Sequence, residues 1–414
     1  MNKDYIRVRN FEKLGLGLFV HWGLYSILSQ GEWTERIHKI PKEEYEKLIE
    51  QFSAEDFSAK ELVRLAKKMG AKYITLTTKH HEGFYLYDTK GFSDFDVMHS
   101  PAKRDLVKEF VDACREEDIL PFFYMATFDW HSELFEEDFN GFLDYLKDSV
   151  EILCKNYGDI GGFWFDGNWS RLDSDWKLDE LYSMIRSYQP NAMIINNTGL
   201  DDRGTIVHQE VDAVTFEKGT PETVKQVNKD EKYIAGEICT TLNYHWGVAH
   251  QDLDYKSLPE ILELMCFARR VGTNFLLNIS PLASGAIPVI CQEYMKMIGQ
   301  WLEVFGESFY ETETSEIYTK SNEKDFALET SDSVYFFMHD LRVIGDENVV
   351  LRGDAVNPRS FLQVKQELKN LRWLDNEEKL TFSQDVAKGL LTMDATGYRY
   401  GVNWVVRVAK ADKV

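Results

Sequence analysis

Phe163-Trp164-Phe165-Asp166-Gly167 is an apolar run that ends in a carboxylate followed by glycine. A buried strand that carries an acid to its C-terminal tip is how a parallel barrel presents a catalytic carboxylate. Flanked by aromatic side chains, Asp166 loses water, so it needs hydrogen-bond donors or a developing positive charge opposite it. The competing reading is an aspartate that caps the next helix or closes a turn with Gly167. Other polar groups stand beside indoles or at the ends of apolar runs: His21 in His21-Trp22-Gly23, Glu32 in Glu32-Trp33, and the pair His80-His81. Neighbouring residues on a strand point to opposite faces, so both histidines serve one site only where the backbone turns.

Together these residues describe a pocket for a neutral polyol. Aromatic rings cover C–H faces, while His and Glu bind hydroxyls, and sugars suit that mixture better than nucleotides or peptides. No HExxH segment is present, nor a third ligand at characteristic spacing, so neither a metal nor another cofactor is expected. A metal-dependent barrel hydrolase is the rival that explains the histidines differently, and chelation separates the two. A barrel that binds carbohydrate without turnover is a second rival; it would lack a working carboxylate.

Such groups have to be positioned, and the chain carries regular elements that can do so. Strand-like runs cover Leu18–Trp22, Tyr73–Lys79, Leu120–Ala126, Gly162–Asp166, Ala192–Asn197, Asp212–Glu217, Tyr233–Thr240 and Asn274–Ser280. Helical periods fall between several of them. Leu62, Leu65, Ala66 and Met69 repeat at helical spacing before a Gly70 stop, and Val107, Phe110, Val111 and Cys114 do the same before the third strand. Alternating strands and helices imply a parallel sheet, and eight strands imply closure into a barrel. The sixth unit is short and poor in helix. An open doubly wound sheet would want a glycine-rich turn after its first strand, whereas Gly15-Leu16-Gly17 precedes it.

Beyond about residue 306 the texture changes to short β-type runs, Val334–Met338, Val349–Leu351 and Trp404–Val408. The expected organisation is a catalytic barrel over 1–306 and a β-sandwich over 307–414. In 414 residues, 44% hydrophobic content and 14% aromatic content exclude disorder. A net charge of −22 argues against nucleic acid. No apolar run reaches the roughly 18 residues of a membrane helix. Five scattered cysteines without a CxxC pair, and no visible signal segment, lead to an expectation of a cytoplasmic protein.

His21-Trp22-Gly23, Glu32-Trp33, Lys79-His80-His81, Phe128-Asp129-Trp130-His131, Trp164-Phe165-Asp166-Gly167 and Asn278-Ile279-Ser280-Pro281 together resemble the motif series of the family 29 α-L-fucosidases. Order and approximate spacing match over residues 5–306. The resemblance implies an irregular (β/α)8-like barrel and a retaining hydrolase that removes α-L-fucosyl residues from oligosaccharides or glycoconjugates. It also implies that Asp166 is the nucleophile, that His21, Glu32, His80 and His81 hold fucose hydroxyls, that Trp33 and Trp164 line the sugar and that Tyr124 is a pocket tyrosine. The expected partner is thus a fucosylated substrate, with neither nucleic acid nor membrane; a homo-oligomer is compatible with the sequence. A different sugar, such as galactose, is the alternative within the same class.

A retaining enzyme needs a second carboxyl roughly 5–5.5 Å from the first, with a pKa raised enough to donate a proton. Glu237, in Gly-Glu-Ile-Cys-Thr-Thr, matches a family motif and ranks first. Glu217, closing Val-Thr-Phe-Glu, ranks second, followed by Glu210 and Glu222. Many members carry an arginine in an Asn-Asp-Arg motif after the fifth strand. Here the segment reads Asn196-Asn197-Thr198-Gly199, with Arg203 further on.

Overall fold

The computed structural model describes residues 3–221, 232–344 and 357–414. The chain divides into two compact units, 1–256 with 273–296, and 257–272 with 297–414.

In the first unit eight parallel strands close a barrel in chain order. They are β1 (Leu16–Val20), β2 (Tyr73–Lys79), β3 (Leu120–Ala126), β4 (Gly162–Asp166), β5 (Met193–Asn197), β6 (Ala213–Glu217), β7 (Ala235–Thr241) and β8 (Asn274–Ile279). The strands are buried on both faces, as a barrel wrapped by helices requires, and so they read as continuous apolar runs rather than alternating ones. The helices obey their end signals. Ser58 caps Ala59–Met69 by accepting from the Glu61 amide, and Gly70 ends that helix in the left-handed region at φ 98°. Asp105 caps Leu106–Glu116, and Asp138 caps Phe139–Asn156.

Five of the eight strands differ at an end from the sequence expectation, β5, β6 and β8 by one residue and β1 and β7 by more. β1 starts at Leu16, not Leu18, because Leu16 and Gly17 already pair with Phe275 and Leu276 of β8. Gly17 therefore lies inside the strand, where a Cβ would sit 2.4 Å from the Tyr73 ring; only glycine leaves room for that ring in the bore. β7 runs from Ala235 to Thr241, two residues later at its start than expected. The weak sixth unit is real but spare: no helix forms between Thr198 and Asp212.

The lower bore is filled by side chains. Phe11, from the helix Lys3–Glu12, packs on Tyr73 and Phe122 with ring centroids 5.4 and 5.8 Å apart, and its carbonyl accepts from Asn274 Nδ2 at 2.8 Å. The open end is thus the C-terminal one, where barrels of this kind place their chemistry.

The second unit holds an eight-stranded antiparallel sheet with the strand order 368–373, 406–413, 333–339, 326–329, 313–319, 359–362, 390–393, 382–385. Phe336, Phe361, Trp373 and Leu391 form part of its core. The expected Val334–Met338 run lies within Ser333–His339. The expected Trp404 strand begins only at Val406, after Val405 takes a φ of 63°. Val349–Leu351 lies outside the described residues.

No described helix is long and apolar enough to cross a membrane. Cys114, Cys154, Cys239, Cys266 and Cys291 are all buried and unpaired.

Candidate active site

Asp166 is the last residue of β4, and everything around it is arranged to hold it ionised. Tyr124, on the adjacent β3, donates its hydroxyl to Oδ2 at 2.9 Å. Trp169 Nε1 and Asn197 Nδ2 donate to Oδ1 at 2.8 and 3.1 Å. His81 Nε2 stands 3.3 Å from Oδ2, with its Nδ1 2.9 Å from the Phe128 carbonyl oxygen. Burial alone would raise this carboxyl; the hydrogen bond and charge of His81, with the Trp169 and Tyr124 donors, outweigh burial and hold it well below the usual carboxylate range. The helix-capping reading of Asp166 falls away, because the short turn Asn168–Arg171 has no side-chain cap. Gly167 starts that turn at φ 119°, with the Phe128 amide nitrogen 2.4 Å from where a Cβ would be. The turn swings Trp169 back over the carboxylate three residues behind it.

The second carboxyl in this constellation is Glu217, at the tip of β6. Asn197, at the tip of β5 between them, uses one amide nitrogen for both acids: Nδ2 lies 3.1 Å from Asp166 Oδ1 and 2.8 Å from Glu217 Oε2, so those oxygens are at most about 6 Å apart. Trp246 Nε1 donates to Glu217 Oε1 at 3.2 Å. Burial raises the Glu217 carboxyl, and the neighbouring Asp166 charge raises it further. One acid is thus pushed down and its neighbour up, the division of labour that acid and nucleophile require.

Glu237 is placed differently, and its first rank among the acids is not what the geometry favours. Glu217 is level with Cys239 across the β6–β7 ladder, two residues nearer the rim than Glu237. Glu237 lies in the bore, fully buried, accepting from Tyr73 Oη at 2.5 Å and Trp164 Nε1 at 2.8 Å. Burial raises it to about 7, against the two ring donors that it bridges. Glu210 precedes β6, at the opposite end of the strand from Glu217, and pairs with Arg186 at 3.0 Å. Glu222 lies outside the described residues.

The expected sugar-holding side chains converge. His21 Nδ1 contacts Asn278 Oδ1 at 2.6 Å, and its ring lies 5.4 Å from Tyr124 and 5.7 Å from His80. His80 stacks on Tyr124 at 5.6 Å and meets His81 at 4.5 Å. The backbone turns just after β2, which brings both histidines to one pocket. Burial lowers the pKa of His21 and of His80, as does the charge of the neighbouring imidazole in each case, which favours the neutral rings. Glu32 is fixed by the amides of Trp246 and Gly247 at 3.0 and 2.8 Å. Trp33 packs edge-on against Trp130 at 5.0 Å and faces Trp169 at 6.1 Å. Trp164 lies one layer below, stacked on Tyr124 at 5.6 Å with its N–H committed to Glu237, so it forms the floor.

Asn197, Trp169 and Trp246 are the residues that sequence reasoning passes over. Strand phase could have flagged Asn197, since it closes β5 level with Asp166. Nothing in the sequence marks Trp246, which arrives from the loop after β7. Arg203 does not take the place of the family arginine: its Nε donates to the Glu217 backbone carbonyl at 2.5 Å. No group of described His, Cys, Asp and Glu side chains is placed to hold a metal ion.

A parallel barrel that carries, on tips two strands apart, one carboxyl pushed down in pKa and one pushed up, with oxygens within about 6 Å, has the equipment of a retaining glycoside hydrolase. The α-L-fucosidase family model matches residues 3–307. Plasma α-L-fucosidase of Rattus norvegicus is 29% identical over 332 residues, covering 73% of this chain and 70% of that one. The α-L-fucosidase of Dictyostelium discoideum is 25% identical, covering 84% and 80%. Among solved structures, α-L-fucosidase isoenzyme 1 from Paenibacillus thiaminolyticus superposes over the full length of both chains with a TM-score of 0.86 at 27% identity. The chain belongs to the α-L-fucosidase family.

Proposed function

We propose that this protein hydrolyses terminal α-L-fucosyl residues by double displacement, with Asp166 as nucleophile and Glu217 as acid and base. The observation that carries the assignment is the shared Asn197 nitrogen, which keeps one oxygen of each carboxyl within about 6 Å of the other and so supports the close pairing a covalent mechanism needs. In the first step Asp166 Oδ attacks the anomeric carbon, the glycosidic C–O bond breaks, and protonated Glu217 gives its proton to the leaving oxygen. In the second, Glu217 as carboxylate takes a proton from water while that water attacks the same carbon and releases Asp166. His21, Glu32, His80 and His81 hold the hydroxyls, with Trp33 at the wall and Trp164 in the floor. A family relative from Bacteroides thetaiotaomicron, 22% identical, is described as a covalent intermediate trapped with 2-fluoro-fucosyl fluoride.

Asp166→Ala should lower kcat roughly 10³-fold or more with the fold intact, since covalent catalysis is removed. Added azide should then yield fucosyl azide of inverted anomeric configuration. Mass spectrometry after a 2-fluoro-fucosyl inhibitor should find the label on Asp166; a label on any other carboxylate ends the assignment.

A further inference from the structure

In the proposed mechanism the glycosidic oxygen takes its proton from Glu217, so the ring that leaves with that oxygen begins at the tip of β6. Beyond that tip stand two aromatic rings and one ammonium. Trp246, whose Nε1 donates to Glu217 Oε1 at 3.2 Å, faces the pocket with its ring 5.0 Å from His21. Lys218 follows Glu217 in the chain and takes the left-handed region at φ 46°, which is uncommon outside glycine. Its ammonium lies 5.5 Å from the Trp246 ring centre and 5.0 Å from that of Tyr244. It also donates to the Tyr244 carbonyl at 2.7 Å. Tyr244 is thus joined to the acid twice, through Lys218 and through Trp246.

Tyr244 is 71% exposed, yet the loop that carries it is braced at several points. Asp252 Oδ2 accepts from the Tyr244 amide at 2.9 Å and contacts His245 Nδ1 at 2.7 Å, and Lys256 Nζ donates to the Thr241 carbonyl at 2.8 Å. Single exposed aromatics are ordinary on protein surfaces; this one is set apart by its place beside the acid and by the polar contacts that fix it. A large ring held in water on a braced backbone is ready to cover the apolar face of a sugar at little entropic cost. None of the side chains expected to hold fucose is drawn from this position. We propose that Tyr244, held by Lys218, is the platform for the pyranose that departs with the glycosidic oxygen, an inference that rests on the fucosidase reading and deepens it.

Tyr244→Ala separates the two halves of the substrate. Fucosyl fluoride has no second ring to place on the platform, so its kcat/KM should stay within about twofold, whereas kcat/KM for fucosyllactose should fall about tenfold. Tyr244→Phe keeps the ring and should restore it. Equal losses on both substrates, or no loss on fucosyllactose, overturn the platform. The fate of the fucosyl-enzyme gives a second readout when fluoride turnover is run with added lactose, a lactose hydroxyl replacing water as the group that Glu217 deprotonates. The ratio of fucosyllactose to free fucose formed is independent of how much enzyme is folded, and it should drop about threefold or more in Tyr244→Ala. An unchanged ratio overturns the platform. So does an unsubstituted enzyme that turns over the fluoride but neither cleaves fucosyllactose nor transfers to lactose. Failure of the unsubstituted enzyme to release fluoride sinks the fucosidase reading itself, and the platform with it.

Discussion

In the proposed mechanism Asp166 and Glu217 divide the chemistry because their surroundings push them in opposite directions. Asp166 is held below the ordinary carboxylate range by its donors, so it contributes no acid limb to the pH profile near neutrality. Glu217 is held above the ordinary glutamate range by burial and by Asp166. As the proton donor it must be protonated, so kcat/KM on a natural fucoside should fall as pH rises through its folded pKa. Glu217→Gln should abolish that alkaline limb and slow fucosyllactose far more than an aryl fucoside whose leaving group needs no proton. Glu237→Gln should slow both substrates by the same factor. Of this pair, only half was legible in the sequence. Asp166 stands out as an acid closing an aromatic run before glycine, and only the structure sets aside the competing cap reading. Choosing between Glu237 and Glu217 demands depth along the bore, and a motif carries no depth: Gly-Glu-Ile-Cys matches the family pattern although the expected strand already runs on past it to Thr240, as β7 does to Thr241.

The elements that frame the site are braced by polar groups out of solvent. Lys79, at the tip of β2, reaches Asp129 in the loop after β3 at 2.6 Å, with both side chains essentially inaccessible. Asp129 in turn accepts from the amides of His131 and Ser132 at 2.9 Å, which shapes the loop that bears Trp130. Burial opposes ionisation of Asp129, and Lys79 overcomes it and lowers its pKa. Asp129→Asn should destabilise by about 3–5 kcal/mol in urea unfolding, because it leaves a buried ammonium without its counter-charge. Trp33 packs on Trp130, so KM for fucosides should rise as well. The barrel as a sequence of strands was readable, since fully buried strands leave continuous apolar runs. The start of β1 was not, because Gly17 carries no hydrophobic signal and is there for what it omits. The loop after β7, which delivers Trp246 to both Glu32 and Glu217, follows no period at all.

At the scale of the whole molecule, several buried acids make stability depend on pH. Burial raises Glu237 to about 7 and Glu82 to about 8, and it raises Glu35 to about 8 with help from the Glu82 charge. Glu82 Oε2 lies 3.3 Å from His80 Nδ1, and backbone hydrogen bonds at Glu82 and Leu24 only partly offset the burial that raises it. For an acid whose folded pKa is raised, the native state binds more protons than the unfolded chain between the two values. Stability is therefore greatest below the unfolded pKa and is lost as pH climbs to the folded one, by up to about 1.4 kcal/mol per pH unit per group. Above about pH 7, where His21 and His80 are neutral in both states, urea midpoints should decline toward pH 8, and Glu82→Gln should flatten that decline. A midpoint that rises over this interval contradicts the neutral state of these acids.

The unpaired cysteines turn the protein into its own unfolding clock. Every thiol is shielded, and Cys114, Cys154, Cys239 and Cys291 fall in the barrel unit while Cys266 falls in the unit that holds the antiparallel sheet. An alkylating reagent should add nothing to the native enzyme at neutral pH and acquire access only as structure opens. Peptide mapping of a time course then dates each half of the chain separately: simultaneous modification of all sites means one cooperative event, and early modification at Cys266 means that the sheet-bearing half opens first.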